Sequence, residues 1–204
     1  MVVSELLRVA ERLLTGFDDS RLKPFLALWP GKLPGNSPPS SAPPLLTPQT
    51  RLPVLEWLPT AAAGAPDLTR RMCEQLSAAA GSLAWRQTYA AGEAPPAFLE
   101  RYGWCEFIGP RATWRTPELA CGCLLLGPET LYPPHRHEAE EIYVPLSGTA
   151  AWQRSSLDWQ QRQPGAVIHH APFEAHAMRT GAMPLLALYL WRGPNLDAAA
   201  RLDA

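Results

Sequence analysis

Apolar residues near the start of the chain recur three and four apart: Leu6, Leu7, Ala10, Leu13 and Leu14 share one face, which predicts an amphipathic helix over residues 4–14. Ser4 is the expected N-cap and Gly16 the stop. Residues 30–66 break the pattern. Their prolines, including the run PGNSPPSSAPP, resist helix and sheet alike, so the stretch reads as an extended connector. A ligand for a proline-recognising partner is the sharper alternative, and nothing else in the stretch supports it. Asp67 as cap opens a second helix over residues 68–80, stopped by Gly81. Residues 83–102 read as a helical continuation with breaks at Gly92 and Pro95–Pro96.

From Trp104 the pattern changes to short apolar runs punctuated by proline and glycine, as in a barrel of about eight or more strands. Residues 119–126 form an apolar strand, residues 149–153 and 157–161 a hairpin around Ser155–Ser156, and residues 166–168 a short strand after the Pro164–Gly165 turn. Residues 185–191 close the set: Leu186, Leu188 and Leu190 take one face, while Tyr189 and Trp191 share the other and line a cavity or fill a core. The expectation is a mainly β protein: residues 1–102 a helical region with the proline-rich loop, residues 103–204 a metal-binding β-barrel.

Composition narrows the function. A chain of 204 residues that is 47% hydrophobic suffices for one well-buried core. A net charge of −1 gives no basic footprint for nucleic acid or an anionic membrane, so a small molecule is the expected partner. Cys73, Cys105, Cys121 and Cys123 match neither a zinc knuckle nor a disulfide framework and read as buried thiols. Glu5, Arg8, Glu11 and Arg12 interrupt the N-terminal apolar residues, which excludes a signal or a membrane span there and leaves a cytoplasmic address by default.

The chemistry concentrates in YPPHRHEAEEIYVPLSG, residues 132–148. His135 and His137, two apart, point the same way on an extended strand, and Glu141 and Tyr143 repeat that spacing after a kink at residues 138–140. His176 downstream supplies a third imidazole, with His169 and His170 as alternatives if the register differs. Three imidazoles and a carboxylate suit one divalent transition metal, zinc, iron, manganese, cobalt or nickel, rather than calcium. A closed structural zinc site would ordinarily use cysteine, and none lies near.

HRHEAEE, the turn at Gly148, the proline-glycine turn and His176 resemble the two motifs of the cupin superfamily, small double-stranded β-barrels (jelly rolls). With Tyr132 and Tyr143 added, the pattern is similar to that of the cupin-type lyases that cleave dimethylsulfoniopropionate (DMSP) to dimethyl sulfide and acrylate. The resemblance covers about residues 119–193 and implies a metal held by His135, His137, Glu141 and His176. The ion would bind the substrate carboxylate as a Lewis acid while a tyrosine removes the neighbouring proton. A phenol normally titrates near pH ~10, but an adjacent cation favours its ionised form. Tyr143 is preferred as base because it shares the face of Glu141, and Tyr132 is the other candidate. Tyr189 and Trp191 are placed to hold the sulfonium by cation–π attraction. Two other classes fit the same ligands: an iron-dependent cupin oxygenase, separated by oxygen dependence, and a non-enzymatic cupin that binds a small metabolite. Arg136 and Arg179 read as solvated arginines, or else as contacts to a substrate carboxylate.

Overall fold

The computed structural model describes residues 2–31, 52–112 and 114–203, so most of the proline-rich stretch lies outside the described residues. The first helix, α1 (Val2–Thr15), buries Leu6, Leu7, Ala10 and Leu14 and ends where the Gly16 N–H reaches the carbonyls of Arg12 and Leu13. Because α1 begins at Val2, Ser4 is inside the helix and is not its cap. A single turn, α2 (Lys23–Leu26), follows and buries Phe25.

The connector reading fails at its C-terminal end. Pro53–Trp57 forms a 3₁₀ turn and α3 (Leu58–Ala63) a short helix, burying Val54, Leu58 and Ala61. Pro53 and Pro59 sit in the first turn of each, where the missing N–H is no loss. Next, α4 (Asp67–Ala79) is capped by extended Pro66, so Asp67 is its first residue and instead pairs with Arg70 at 2.7 Å. The helical reading of residues 83–102 holds only for α5 (Pro96–Glu100). Arg86 exchanges backbone hydrogen bonds of 2.7 and 2.9 Å with Trp104, so the preceding segment runs extended beside the barrel.

Ten strands follow: β1 (Tyr102–Ile108), β2 (Leu119–Leu126), β3 (Leu131–Arg136), β4 (Glu140–Ser147), β5 (Ala150–Arg154), β6 (Gln160–Arg162), β7 (Ile168–His170), β8 (His176–Thr180), β9 (Leu185–Arg192) and β10 (Arg201–Leu202). They form two five-stranded antiparallel sheets, ordered β1-β2-β9-β4-β7 and β10-β3-β8-β5-β6. Two readings move. Ala166 and Val167 belong to the turn at Gly165, so the short strand is β7 and carries both His169 and His170. The set also closes later than β9, because β10 returns to pair with β3.

Period-two alternation divides the first sheet. Cys121, Cys123 and Leu125 of β2, Ile142, Val144 and Leu146 of β4, and Leu186, Leu188 and Leu190 of β9 share a core with the residues buried by α1 and α4. The helices therefore cover the outer face of this sheet, and all four cysteines are buried and free within that layer. Leu124, Leu126, Tyr143, Leu185, Ala187 and Tyr189 point the other way, into the barrel. Among the described residues, no helix is long and apolar enough to cross a membrane.

Candidate metal centre

The site is assembled from both sheets. His135, near the end of β3, lies opposite His176 of β8, and Glu141 of β4 lies between His170 of β7 and Trp191 of β9. The expectation that both early histidines ride one strand holds for His135 alone. Strand β3 ends at Arg136, and His137 stands in the break before β4.

Nε2 of His137 and Nε2 of His176 each approach Oε2 of Glu141 to 3.0 Å, and the three ligand atoms all lie within 4.8 Å of one another. Oε1 of Glu141 accepts the Trp191 indole N–H at 2.5 Å. His135 stands beside this triad, its ring centroid 4.1 Å from that of His176 and 6.4 Å from that of His137. The outer nitrogens repeat one pattern: Nδ1 of His135, His137 and His176 donates at 2.9 Å to the carbonyls of Pro133, Ala139 and Glu174 respectively. A carbonyl only accepts, so each Nδ1 carries a proton and each ring turns its Nε2 edge away from that carbonyl.

Two donors of the cluster are shifted by their surroundings. Burial opposes ionisation of Glu141, yet the facing His137 and His176 imidazoles hold its carboxyl well below the usual carboxylate range. Burial, and then the neighbouring His176, push His135 well below its ordinary value, so it is neutral. An ionised Glu141 and a neutral His135 are the states that metal binding requires of these two donors.

The alternative imidazoles make other contacts. His169 Nε2 bonds Glu140 Oε1 at 2.8 Å. His170 stacks flat on His176, centroids 4.0 Å apart, with both ring nitrogens buried and without a hydrogen-bond partner among the described residues. Arg136 pairs with Asp203 at 2.7 Å and Arg179 lies over the Trp159 ring, so both follow the solvated reading.

Above the cluster opens a cavity of about 620 Å³, lined in part by Tyr132, His135, Glu141, Tyr143, Tyr189 and Trp191. Tyr132 stacks on the His135 ring at 3.9 Å and its hydroxyl meets that of Tyr89 at 3.1 Å. The Tyr143 ring lies 5.0 Å from Trp152 and 6.4 Å from His176. Burial first, then the charge of Glu141, hold the Tyr143 phenol well above its ordinary range; burial, then Tyr102, does the same to Tyr132. Sequence reasoning missed Thr88, Tyr102, Trp104, Glu106 and Arg111 in this wall. The signal for Glu106 was present: it is the one charge in the strand YGWCEFI, at the same parity as Trp104. Thr88 gave none, because it falls in the segment whose pattern resembled a helix.

Two facing sheets around a central His/Glu cluster make this a cupin. More narrowly, the chain belongs to the dimethylsulfoniopropionate lyase family, whose model matches residues 39–187. It is 34% identical over 160 residues to the dimethylsulfoniopropionate lyase DddQ of Ruegeria pomeroyi, covering 76% of this chain and 78% of that protein. It is 36% identical over 124 residues to DddL of Cereibacter sphaeroides, named as a candidate dimethylsulfoniopropionate lyase. That match covers 60% of this chain and only 51%, about half, of that relative. Among solved structures, one of those of the DMSP lyases RdDddP and RnDddQII superposes with a TM-score of 0.82 at 29% identity, covering 100% of this chain and 98% of that one. The crystal structure of Ruegeria pomeroyi DddQ gives 0.81 at 25% identity, covering 98% and 95%.

Proposed function

We propose that this protein is a metal-dependent lyase that cleaves dimethylsulfoniopropionate to dimethyl sulfide and acrylate by β-elimination. The observation that carries the reading is the cluster of His135, His137, Glu141 and His176, its outer nitrogens all tied to carbonyls, beneath a cavity walled by phenols and indoles. Membership of the lyase family and the likeness to DddQ support the substrate.

The donor set fits a divalent transition ion of the zinc, iron, manganese, cobalt or nickel kind. Nε2 of His176 is buried 3.0 Å from Glu141 Oε2 yet makes no hydrogen bond with it, so a lone pair faces a carboxylate oxygen across a space that a cation would relieve. His137, Glu141 and His176 would hold the ion, with His135 as the fourth donor. Once bound, the ion supplies Lewis acidity toward a substrate carboxylate and favours phenolate beside it.

The remaining work falls to the side chains. Tyr143 Oη takes the proton from the carbon next to the substrate carboxylate. The released electron pair forms the carbon–carbon double bond as the bond from the next carbon to sulfur breaks, and dimethyl sulfide leaves with both electrons of that bond. The faces of Tyr189 and Trp191 hold the sulfonium until then, worth roughly 0.5–2 kcal/mol of cation–π attraction. Trp191 does double duty, since its N–H also orients Glu141. The test is to incubate metal-loaded protein with the substrate without oxygen. Dimethyl sulfide and acrylate in equal amounts are expected, and their absence with metal bound would overturn the proposal.

A further inference from the structure

The wall of the cavity formed by β1 holds a carboxylate that the mechanism above does not use. Trp104 and Glu106 are two apart on β1, so both face inward, and both line the cavity. The Glu106 side chain is only 2% exposed. The chain is shaped around it: Gly109 has φ 139°, and a Cβ there would lie 2.7 Å from the Glu106 carboxyl carbon.

Arg111 neutralises this charge incompletely. Its backbone N–H donates to Glu106 Oε1 at 2.6 Å, but its Nη1 reaches Oε2 only at 3.3 Å while also donating to the Leu196 carbonyl at 3.1 Å. A carboxylate offers about four acceptor positions, so capacity is left over. The Arg111 side chain is also the more exposed partner, at 25%, so water screens its charge better than that of Glu106. Glu106 therefore adds negative charge to this part of the wall, offset in part by Arg111 and by Arg86, which also lines the cavity.

The same wall carries the aromatic rings. Across the sheet, Glu106 pairs with Gly122, and Gly122 with Tyr189. A Cβ on Gly122 would fall 2.6 Å from Tyr189 Oη, so glycine there lets the phenol lie across β2 toward Glu106. Tyr189 stands edge-on to Trp104 at 6.4 Å and to Trp191 at 6.0 Å, and since the Arg111 guanidinium already lies over the Trp104 ring at 5.7 Å, Tyr189 and Trp191 are the rings left for a ligand cation. Rings alone attract a cation weakly, and a buried carboxylate behind them adds a directed charge.

We infer that Glu106 is the counter-charge by which this cavity selects a sulfonium over an uncharged group of the same shape. The inference rests on the reading above that the aromatic wall receives the cationic end of the substrate. Two unreactive probes test it in metal-loaded, full-length protein: dimethylsulfonioacetate and 3-methylbutanoate, its isostere with carbon in place of the sulfonium, each titrated calorimetrically. Both carry a carboxylate, and only one carries the cation. Wild type binds the sulfonium more tightly, and Glu106→Gln lowers that preference about tenfold while leaving 3-methylbutanoate binding unchanged, as expected for one unit charge lost at roughly 10 Å. Arg111→Gln raises the preference, a gain that a merely damaged fold would not give. Equal weakening of both probes by Glu106→Gln, or an unchanged preference, overturns the assignment of Glu106 alone. No preference in wild type overturns the cation reading of the aromatic wall and this inference with it.

Discussion

Replacing Tyr143 by phenylalanine separates shape from chemistry. The phenylalanine ring keeps the packing against Trp152 at 5.0 Å and beside His176 at 6.4 Å, so the variant should fold with a loss of about 1.5–3 kcal/mol, the worth of a hydrogen bond to the ionised Glu141 carboxylate. Turnover should fall by ~10²–10⁴, the usual contribution of a general base. At about 1.36 kcal/mol per tenfold, that is roughly 2.7–5.4 kcal/mol of barrier, and it appears in turnover while the variant stays folded. In the ion-free protein, burial and then the charge of Glu141 keep Tyr143 neutral far above its ordinary range. A cation held by Glu141 opposes the second of these, so adding metal should lower the pH at which a tyrosinate absorbance appears, and Tyr143→Phe should abolish that signal. The rate assay is dimethyl sulfide release at saturating substrate, with metal content measured on the same samples. Tyr132→Phe is the control, since its hydroxyl meets Tyr89 and its ring leans on His135. Near-wild-type turnover in both variants refutes the tyrosine-base argument. Loss of turnover in Tyr132→Phe, with mere loss of metal in Tyr143→Phe, would make Tyr132 the base and Tyr143 a metal ligand.

Three further outcomes are expected. His137→Ala and His176→Ala each lower metal content sharply by elemental analysis, His135→Ala does so too, and Glu141→Ala less, because solvent oxygen can replace its carboxylate; full occupancy in all three histidine variants would refute the ligand set. In the ion-free protein, burial, and then His176, pull His170 from its ordinary 6.5 down to about 2. The unfolded chain therefore takes up a proton that the folded one refuses, and stability falls as pH drops below about 6.5, by up to about 1.4 kcal/mol per pH unit. Denaturant titrations should show that slope reduced in His170→Phe, and an unchanged slope would contradict the assignment. Leu188→Ala, at a fully buried position between sheet and helices, should cost about 2–5 kcal/mol in chemical denaturation, and a cost below about 1 would mean the layer is not packed as described.

What the sequence disclosed follows the range of the forces involved. Strand β2 was legible at its observed ends because an unbroken apolar run sits between Pro117 and Gly127, and the alternation of β9 placed Tyr189 and Trp191 on the cavity side. Helix ends were less legible. Pro66 caps α4 by extended backbone alone, and Pro59 starts a helix in a stretch whose composition argued against one. The cluster of His137, Glu141 and His176 was visible as residue types at suggestive spacing, while the carbonyls that orient them are backbone groups that no composition reveals. Contacts bridging distant positions were hidden as well: Tyr89 meets Tyr132 across 43 residues, and Arg111 reaches Leu196 across 85.

The alternation in β4 and β9 bears on how such a chain can change over generations. Glu141 and Tyr143 of β4 and Tyr189 and Trp191 of β9 line the cavity, while Ile142, Val144, Leu146, Leu186, Leu188 and Leu190 between and beside them pack with the helices. Point replacements on either face can accumulate without disturbing the other, so packing and substrate preference are free to drift separately. Gain or loss of a single codon within either strand is different in kind. It would exchange the two faces beyond that point, setting Ile142 or Val144 where the proposed ligand Glu141 or the proposed base Tyr143 stands. Lineages of this fold should therefore vary freely in spelling along these two strands and very little in length.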